Sequence, residues 1–131
     1  MLPVRLIATG LTLLLVTFLV TAAGAAELLM YRTAGCPWCA TWDRVIGPIY
    51  PKTEVGRLVP VRMVDFATAG GSGVALERPV RYSPTFVLVE DSREIGRIEG
   101  YPGEDFFWGL LENLVLKLPR RGTTIGAAPI R

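Results

Sequence analysis

The pair of cysteines in Cys36-Pro-Trp-Cys39 restricts the fold and chemistry of this chain more than any other feature. They are the only cysteines among 131 residues, and the chain contains no histidine. Proline is favoured in the first turn of a helix, because its missing N–H would have no partner there. Pro37 therefore predicts a helix that begins directly after Cys36, with Cys36 as its N-cap and Cys39 one turn further along.

A sulfur at a helix N-cap faces unpaired N–H groups and the positive end of the helix dipole. Both stabilise a thiolate, so we expect the pKa of Cys36 to lie below the ~8.5 of a free cysteine. Cys39 would lie close enough to attack a disulfide formed at Cys36. This arrangement is typical of thiol–disulfide exchange, in which Cys36 attacks a substrate and Cys39 resolves the mixed disulfide.

Three other uses of the cysteine pair compete with exchange. A structural disulfide suits an exported protein, although closing so short a loop would stabilise the fold by only roughly 2 kcal/mol. A zinc site needs about two more ligands, and the sequence offers no further cysteine or any histidine. Haem attachment requires a histidine after the second cysteine, where this chain has Ala40. Exchange is therefore favoured, and a structural disulfide stays open.

Residues 1–26 have the pattern of a secretory signal peptide. Arg5 carries the only charge, and an apolar run follows that ends in the small residues Ala23-Gly24-Ala25 and Ala26. This pattern predicts export and cleavage near the end of the segment. An uncleaved membrane anchor is the alternative, because about 20 apolar residues can span a bilayer. In both cases the protein is expected in the periplasm, in contact with the membrane only if the segment is retained.

The rest of the chain has the size of one domain, since about 105 residues remain after cleavage. Residues 27–118 carry twelve acidic and ten basic side chains. A nucleic-acid-binding protein would show a basic face, so the composition argues against a nucleic-acid partner. Residues 119–131 contain two prolines and three arginines, and they are expected to form a flexible tail.

The order of the predicted elements indicates a mixed α/β domain. Four runs have the composition of strands: 27–33, 58–66, 85–90 and 94–100. Apolar residues recur at helical spacing over 37–47 and 103–118, and 74–80 allows at most two helical turns. Prolines and glycines mark 48–57 as a connector that can include a turn of helix, and 67–73 as a loop. The last two strands are adjacent in sequence, so they are expected to form a hairpin.

A proline directly before the most apolar strand adds a second signal. Pro84 lies in "YSPTFVLVE" (82–90), 45 residues after Cys39. With "CPWC" at a strand-to-helix junction, the hairpin "EIGRIEG" and the closing helix "FFWGLLENL" in this order, the chain resembles the thioredoxin superfamily over residues 27–118. The resemblance implies a thioredoxin-like three-layer α/β fold, with a mixed four-stranded sheet flanked by helices.

The same resemblance implies roles for the residues around the cysteines. A cis peptide bond before Pro84 would shape a substrate groove beside the sulfurs and keep metal ions away from them. The backbone of Ser83 would bind the substrate chain in that groove. Trp38 lies in the first turn of the predicted helix, so we expect it to be exposed and, with Pro37, to contact the substrate.

Within the superfamily, "CPWCATWDRVIGPIYP" and "IEGYPGEDFFWGLLENL" are most similar to small periplasmic thioredoxins of bacterial sulfur-oxidation (Sox) systems. That similarity implies reduction of a disulfide or a blocked cysteine on a partner protein. The sequence shows no cofactor motif, so the electrons are expected to come from another dithiol protein, such as a membrane donor. The alternative is a non-catalytic exported binding module of the same fold, with a static Cys36–Cys39 disulfide.

Some positions near the cysteines depart from the superfamily. Met30 stands where ordinary thioredoxins have a buried acidic residue, and Asp43 is the candidate to replace it as a proton relay. Gly100-Tyr101 stands where glutaredoxins have paired glycines, which argues against a glutathione site. Arg32 and Arg44 are candidates to stabilise the thiolate by their charge. The large aromatic residues of the two helices are expected in the core: Trp42, Phe106, Phe107 and Trp108.

Overall fold

The computed structural model describes residues 25–119 of the chain. The predicted signal peptide and the predicted tail therefore lie almost entirely outside the described residues. Within residues 25–119, no helix is both long enough and apolar enough to cross a membrane.

A four-stranded mixed sheet forms the centre of the molecule. Its strands are β1 (Glu27–Arg32), β2 (Val61–Asp65), β3 (Thr85–Glu90) and β4 (Arg93–Glu99). They lie in the order β2-β1-β3-β4. β1 is parallel to β2, whereas the β1–β3 and β3–β4 pairs are antiparallel. The predicted α/β class, the mixed sheet and the final hairpin are confirmed.

The two central strands are apolar along their length because both faces of the sheet are covered. All six residues of β3 are buried, as a continuous apolar run predicts for such a strand. Side chains alternate between the faces: Leu28 and Met30 of β1 join one core cluster, and Leu29 and Tyr31 join the other. The sheet therefore lies between two packed layers.

The first layer contains the three α-helices, α1 (Pro37–Val45), α2 (Glu54–Leu58) and α3 (Glu104–Val115). Trp42 of α1 lies at its centre, with ring centroids 5.6 Å from Phe86 and 6.0 Å from Phe107. Burying large aromatic rings contributes most of the energy of such a core. Helix α1, which begins after Cys36, is therefore fixed firmly against the sheet.

The second layer is formed by residues 66–80, and here one prediction is wrong. Residues 66–71 form 3-10 turns, but 74–80 contains no helix. Instead, Ala75 exchanges backbone hydrogen bonds with the edge of β4, from its N–H to Ser92 O (2.8 Å) and from Glu94 N–H to its own carbonyl (3.1 Å). The segment forms no helix because the backbone of Ala75 is bonded to the sheet edge instead.

Two further details concern the sequence-based expectations. Residues 48–57, predicted as a connector with room for a turn of helix, contain a 3-10 turn and most of α2, and β2 begins directly after Pro60. Phe106 was expected in the core, but 72% of it is exposed, whereas its neighbour Phe107 is completely buried. The prediction for Trp42 and Phe107 is confirmed.

Candidate active site

The two cysteines lie at the start of α1 and are joined as a disulfide. Cys36 is the N-cap residue, as predicted, and its sulfur accepts a hydrogen bond from the Cys39 N–H at 3.1 Å. Cys36 is partly exposed, whereas Cys39 is completely buried in the core beneath it. The fold thus presents one sulfur to solvent and keeps its partner inside.

The loop before β3 brings Ser83, which directly precedes Pro84, next to this pair. The Ser83–Pro84 peptide bond is cis, as the resemblance implies. Pro84 is buried, and its carbonyl accepts a hydrogen bond from the Gly100 N–H at 2.7 Å. Ser83 Oγ lies 3.4 Å from Cys39 Sγ. The structure therefore brings Ser83, Pro84 and both cysteines into one site, although 44 residues separate Ser83 from Cys39.

The surface around the site carries two exposed aromatic side chains and a cavity. Trp38 is 61% exposed and Tyr82 is 58% exposed, so the expected exposure of Trp38 is confirmed. Tyr82 and Ser83 line a surface cavity of about 410 Å³ together with Glu99 and Gly100. Exposed aromatic side chains beside a groove are typical of surfaces that bind another protein.

The interior beneath the sulfurs is apolar. Met30, which stands at the position of the acidic residue in ordinary thioredoxins, is completely buried in the same core cluster as Cys39 and Trp42. The departure noted in the sequence is therefore also a departure in the site, because a thioether cannot carry a proton for Cys39.

The charged residues considered for the thiolate are engaged elsewhere. Arg32 donates two hydrogen bonds to the Asp43 carboxylate, at 2.8 and 2.7 Å. This pair raises the pKa of the Arg32 guanidinium, chiefly through the hydrogen bonds from Arg32 to Asp43. Arg44 lies in the last turn of α1, at the opposite end from Cys36, where it suits the negative end of the helix dipole.

Comparisons with known proteins agree with the geometry. No protein-family model matches the chain, and curated proteins give no match. Among solved structures, the periplasmic thioredoxin SoxS from Paracoccus pantotrophus, in its reduced form, is similar with 47% identity and a TM-score of 0.68. The match covers 70% of this chain and 97% of that one. The chain belongs to the thioredoxin superfamily.

Two more distant thioredoxins share the fold. That of Fasciola hepatica is 20% identical, with a TM-score of 0.51 over 69% of this chain and 81% of its own. Thioredoxin f2 of Chlamydomonas reinhardtii is 12% identical, with a TM-score of 0.53 over 71% and 82%. With its C-x-x-C pair at the tip of α1, this thioredoxin is a thiol–disulfide oxidoreductase.

Two residues of this thioredoxin site were missed by the sequence-based reasoning. Thr33 follows β1 and donates hydrogen bonds to Ser83 Oγ from its N–H (3.0 Å) and its hydroxyl (3.2 Å). Its only signal in the sequence was its place between a strand and the cysteine loop. Tyr82 precedes Ser83 directly, so the expected role of that loop in substrate binding could have drawn attention to it.

Proposed function

We propose that the protein is an exported thioredoxin that reduces a disulfide or a blocked cysteine on a partner protein. The observation that carries the proposal is the unequal exposure of the two sulfurs, with Cys36 open to solvent and Cys39 buried. This difference in exposure suits thiol–disulfide exchange, because the exposed sulfur can attack the substrate and the buried sulfur can then attack the mixed disulfide.

In the first step, the Cys36 thiolate attacks one sulfur of the substrate disulfide. A bond forms between Cys36 Sγ and that sulfur, the substrate S–S bond breaks, and the departing sulfur takes up a proton from water. The N-cap position supports this role, since the Cys39 N–H points at Cys36 Sγ and the helix dipole favours a negative charge there.

In the second step, Cys39 loses its proton to water and its thiolate attacks Cys36 Sγ. The Cys36–Cys39 disulfide forms, the bond between Cys36 Sγ and the substrate breaks, and the second substrate sulfur leaves as a thiolate that takes up a proton from water. The substrate gains two electrons and the protein loses two. The disulfide between Cys36 and Cys39 corresponds to the product of this step.

The substrate chain is proposed to bind across the exposed rim of the site. Pro37 and Trp38 would contact it from the helix, and the backbone of Ser83 with the ring of Pro84 would form the opposite wall. Two exposed aromatic side chains support this arrangement, because Trp38 and Tyr82 can bury aromatic surface against a protein partner.

The proposed location is the periplasm. The pattern of residues 1–26 favours export, and the similar Paracoccus protein is described as periplasmic. We propose that residues 27–118 form the thioredoxin domain, that 119–131 form its tail, and that a membrane dithiol protein supplies the electrons. N-terminal sequencing of the protein recovered from a periplasmic fraction tests cleavage, and a full-length N-terminus would instead indicate an anchor.

The activity is tested with insulin, whose B chain precipitates when the interchain disulfides are reduced. With dithiothreitol as electron source, the protein should accelerate precipitation, and Cys36→Ala should return it to the rate of dithiothreitol alone. Cys39→Ala should accumulate a covalent adduct with an insulin chain, visible by mass spectrometry without reductant. Equal rates for the unmodified protein and Cys36→Ala would overturn the proposal.

A further inference from the structure

The hydroxyl of Ser83 makes a contact that substrate binding through its backbone does not explain. Its Oγ lies 3.4 Å from the sulfur of Cys39, within reach of a hydrogen bond to the large sulfur atom. In the disulfide, Cys39 Sγ is bonded to Cys36 Sγ and carries no hydrogen. The donor in this contact is therefore the Ser83 hydroxyl.

Thr33 fixes the direction of that hydroxyl. A serine hydroxyl has one hydrogen to donate and two lone pairs to accept. Both lone pairs of Ser83 are used, one by the Thr33 N–H at 3.0 Å and the other by the Thr33 hydroxyl at 3.2 Å. The single hydrogen remains for Cys39 Sγ, so the end of β1 holds Ser83 as a donor toward this sulfur.

Cys39 needs such a donor because its surroundings oppose a negative charge. It is completely buried, in the core cluster that contains Met30 and Trp42. Burial in apolar surroundings raises the pKa of a thiol and reduces the fraction present as the reactive thiolate. A hydrogen bond to the charged form acts in the opposite direction.

We propose that Ser83 acts as a catalytic residue in the second step, in which its hydroxyl donates a hydrogen bond to the Cys39 thiolate and speeds release of the substrate. The inference rests on the proposed function and deepens it. Ser83 keeps its own proton throughout. Cys39 still loses its proton to water, the Cys36–Cys39 bond still forms, and the same two electrons pass to the substrate.

The expected size of the effect follows from the strength of the bond. A hydrogen bond to the charged form of a group lowers the pKa of an acid, so Ser83→Ala should raise the pKa of Cys39 by about one unit or more. One unit leaves about tenfold less thiolate below the pKa, but each thiolate becomes roughly threefold more nucleophilic. The second step should therefore slow about threefold at neutral pH.

The two steps are separated with 5,5′-dithiobis(2-nitrobenzoate) as the substrate. The reduced protein should release one coloured thiolate when Cys36 attacks and a second when Cys39 resolves the mixed disulfide. Ser83→Ala should lower the ratio of the second rate to the first about threefold at neutral pH, and the deficit should vanish or reverse above the pKa of Cys39. Ser83→Thr, which keeps the hydroxyl, should restore the ratio.

Two variants guard against a merely structural effect. In a Cys36→Ala background, Ser83→Ala should raise the pKa of Cys39 by about one unit. This pKa is measured from the dependence of the Cys39 alkylation rate on pH. Thr33→Val, at an exposed position, removes one bond that orients Ser83 and should raise that pKa by a smaller amount. An unchanged ratio and an unchanged Cys39 pKa overturn the inference, whereas absence of the first release overturns the proposed function itself.

Discussion

At the scale of single residues, the N-cap position of Cys36 gives its sulfur a different environment from that of Cys39. The Cys36 sulfur already accepts the Cys39 N–H at 3.1 Å, and α1 directs its positive end toward it. Neither interaction depends on a charged side chain, since Arg32 is paired with Asp43. We therefore expect the backbone of the helix to be sufficient to lower the pKa of Cys36.

The reduced protein should therefore show a Cys36 pKa below the ~8.5 of a free thiol. The alkylation rate of Cys36, measured against pH in a Cys39→Ala variant, should reach half its plateau below that value. The double variant Arg32→Gln/Asp43→Asn should leave the inflection nearly in place, because it removes both charges of a paired, net-neutral couple together. An inflection at or above that of a free thiol would contradict the N-cap argument.

Two helical glycines should respond to alanine in opposite directions. A Cβ at Gly56 would collide with the backbone carbonyl of Tyr50, whereas a Cβ at Gly109 would meet no atom within 4 Å. Gly56→Ala should destabilise the protein by about 1–3 kcal/mol through overpacking. Gly109→Ala should stabilise it by about 0.5–1 kcal/mol, because alanine favours the helix. Urea unfolding measures both, and a stabilised Gly56→Ala would refute the close contact.

At the scale of elements, α3 joins the core through one face. Phe107, Leu111 and Leu114 are its buried residues, and their spacing matches a helical face. Phe107 also packs edge-on against Phe86, with ring centroids 4.9 Å apart. The helix therefore locks onto β3, the strand that begins directly after Pro84.

Neighbouring phenylalanines on α3 provide a matched pair for this packing. Phe107→Ala should lower the free energy of unfolding by about 3–5 kcal/mol, as expected for a fully buried ring. Phe106→Ala should change it by at most about 0.5 kcal/mol, because that side chain is mostly exposed. Thermal or urea unfolding distinguishes them. Similar losses for both variants would mean that α3 packs through another face.

The elements were predictable from the sequence where local signals agreed. Pro37 marked the start of α1, and the apolar run after Pro84 marked β3. The error at Phe106 was avoidable, since the helical period that includes Phe107 excludes its neighbour. The absence of a helix at 74–80 could not be predicted in this way. The segment is held by bonds to β4, including one from the Glu77 N–H to the Glu94 carboxylate 17 residues away.

The chemistry of the site was also predictable only in part, because some of its contacts join residues far apart in the sequence. The C-x-x-C spacing and Pro37 indicated the N-cap sulfur, and family resemblance suggested Pro84 beside it. The contact from Ser83 to Cys39 and the bonds from Thr33 join residues 44 and 50 positions apart. They depend on the register of β1 against β3, which a local pattern cannot supply.

At the scale of the whole molecule, a buried ion pair ties the second layer to the sheet. The side chains of Glu94 and Arg97 are 0% and 4% exposed and meet at 2.6 Å. Glu94 also accepts the Glu77 N–H, and Arg97 donates to the Arg78 carbonyl at 2.8 Å. These bonds hold the segment that leads into the loop of Ser83 and Pro84.

This pair should make stability depend on pH. Burial alone would raise the pKa of Glu94, but hydrogen bonds from Arg97 and the Glu77 N–H lower it below the ordinary value of 4.5. Because the folded protein prefers the ionised form, this stability is complete above about pH 4.5 and is lost as pH falls through the lowered pKa. Unfolding free energies measured from neutral to acid pH should show this loss.

Glu94→Gln isolates the contribution of the pair. It should cost about 1.5–3 kcal/mol at neutral pH, because the buried Arg97 loses its nearest charge partner and keeps Glu99 at 3.7 Å. The stability of the variant should also fall less steeply in acid. Glu27→Gln is the matched control, since it breaks the exposed pair with Arg62 and should cost at most about 1 kcal/mol. Parallel acid profiles for Glu94→Gln and the unmodified protein would contradict this account.

The bonds between Thr33 and Ser83 are absent before the chain folds, and this affects how reactive the two cysteines are then. They span 50 residues, and an extended nascent chain has neither the helix end at Cys36 nor a hydroxyl beside Cys39. Its two thiols then behave like those of any short peptide, with about the ordinary thiolate fraction. The chain acquires its reactivity and its native fold together, so before folding its cysteines react no faster than those of an ordinary peptide.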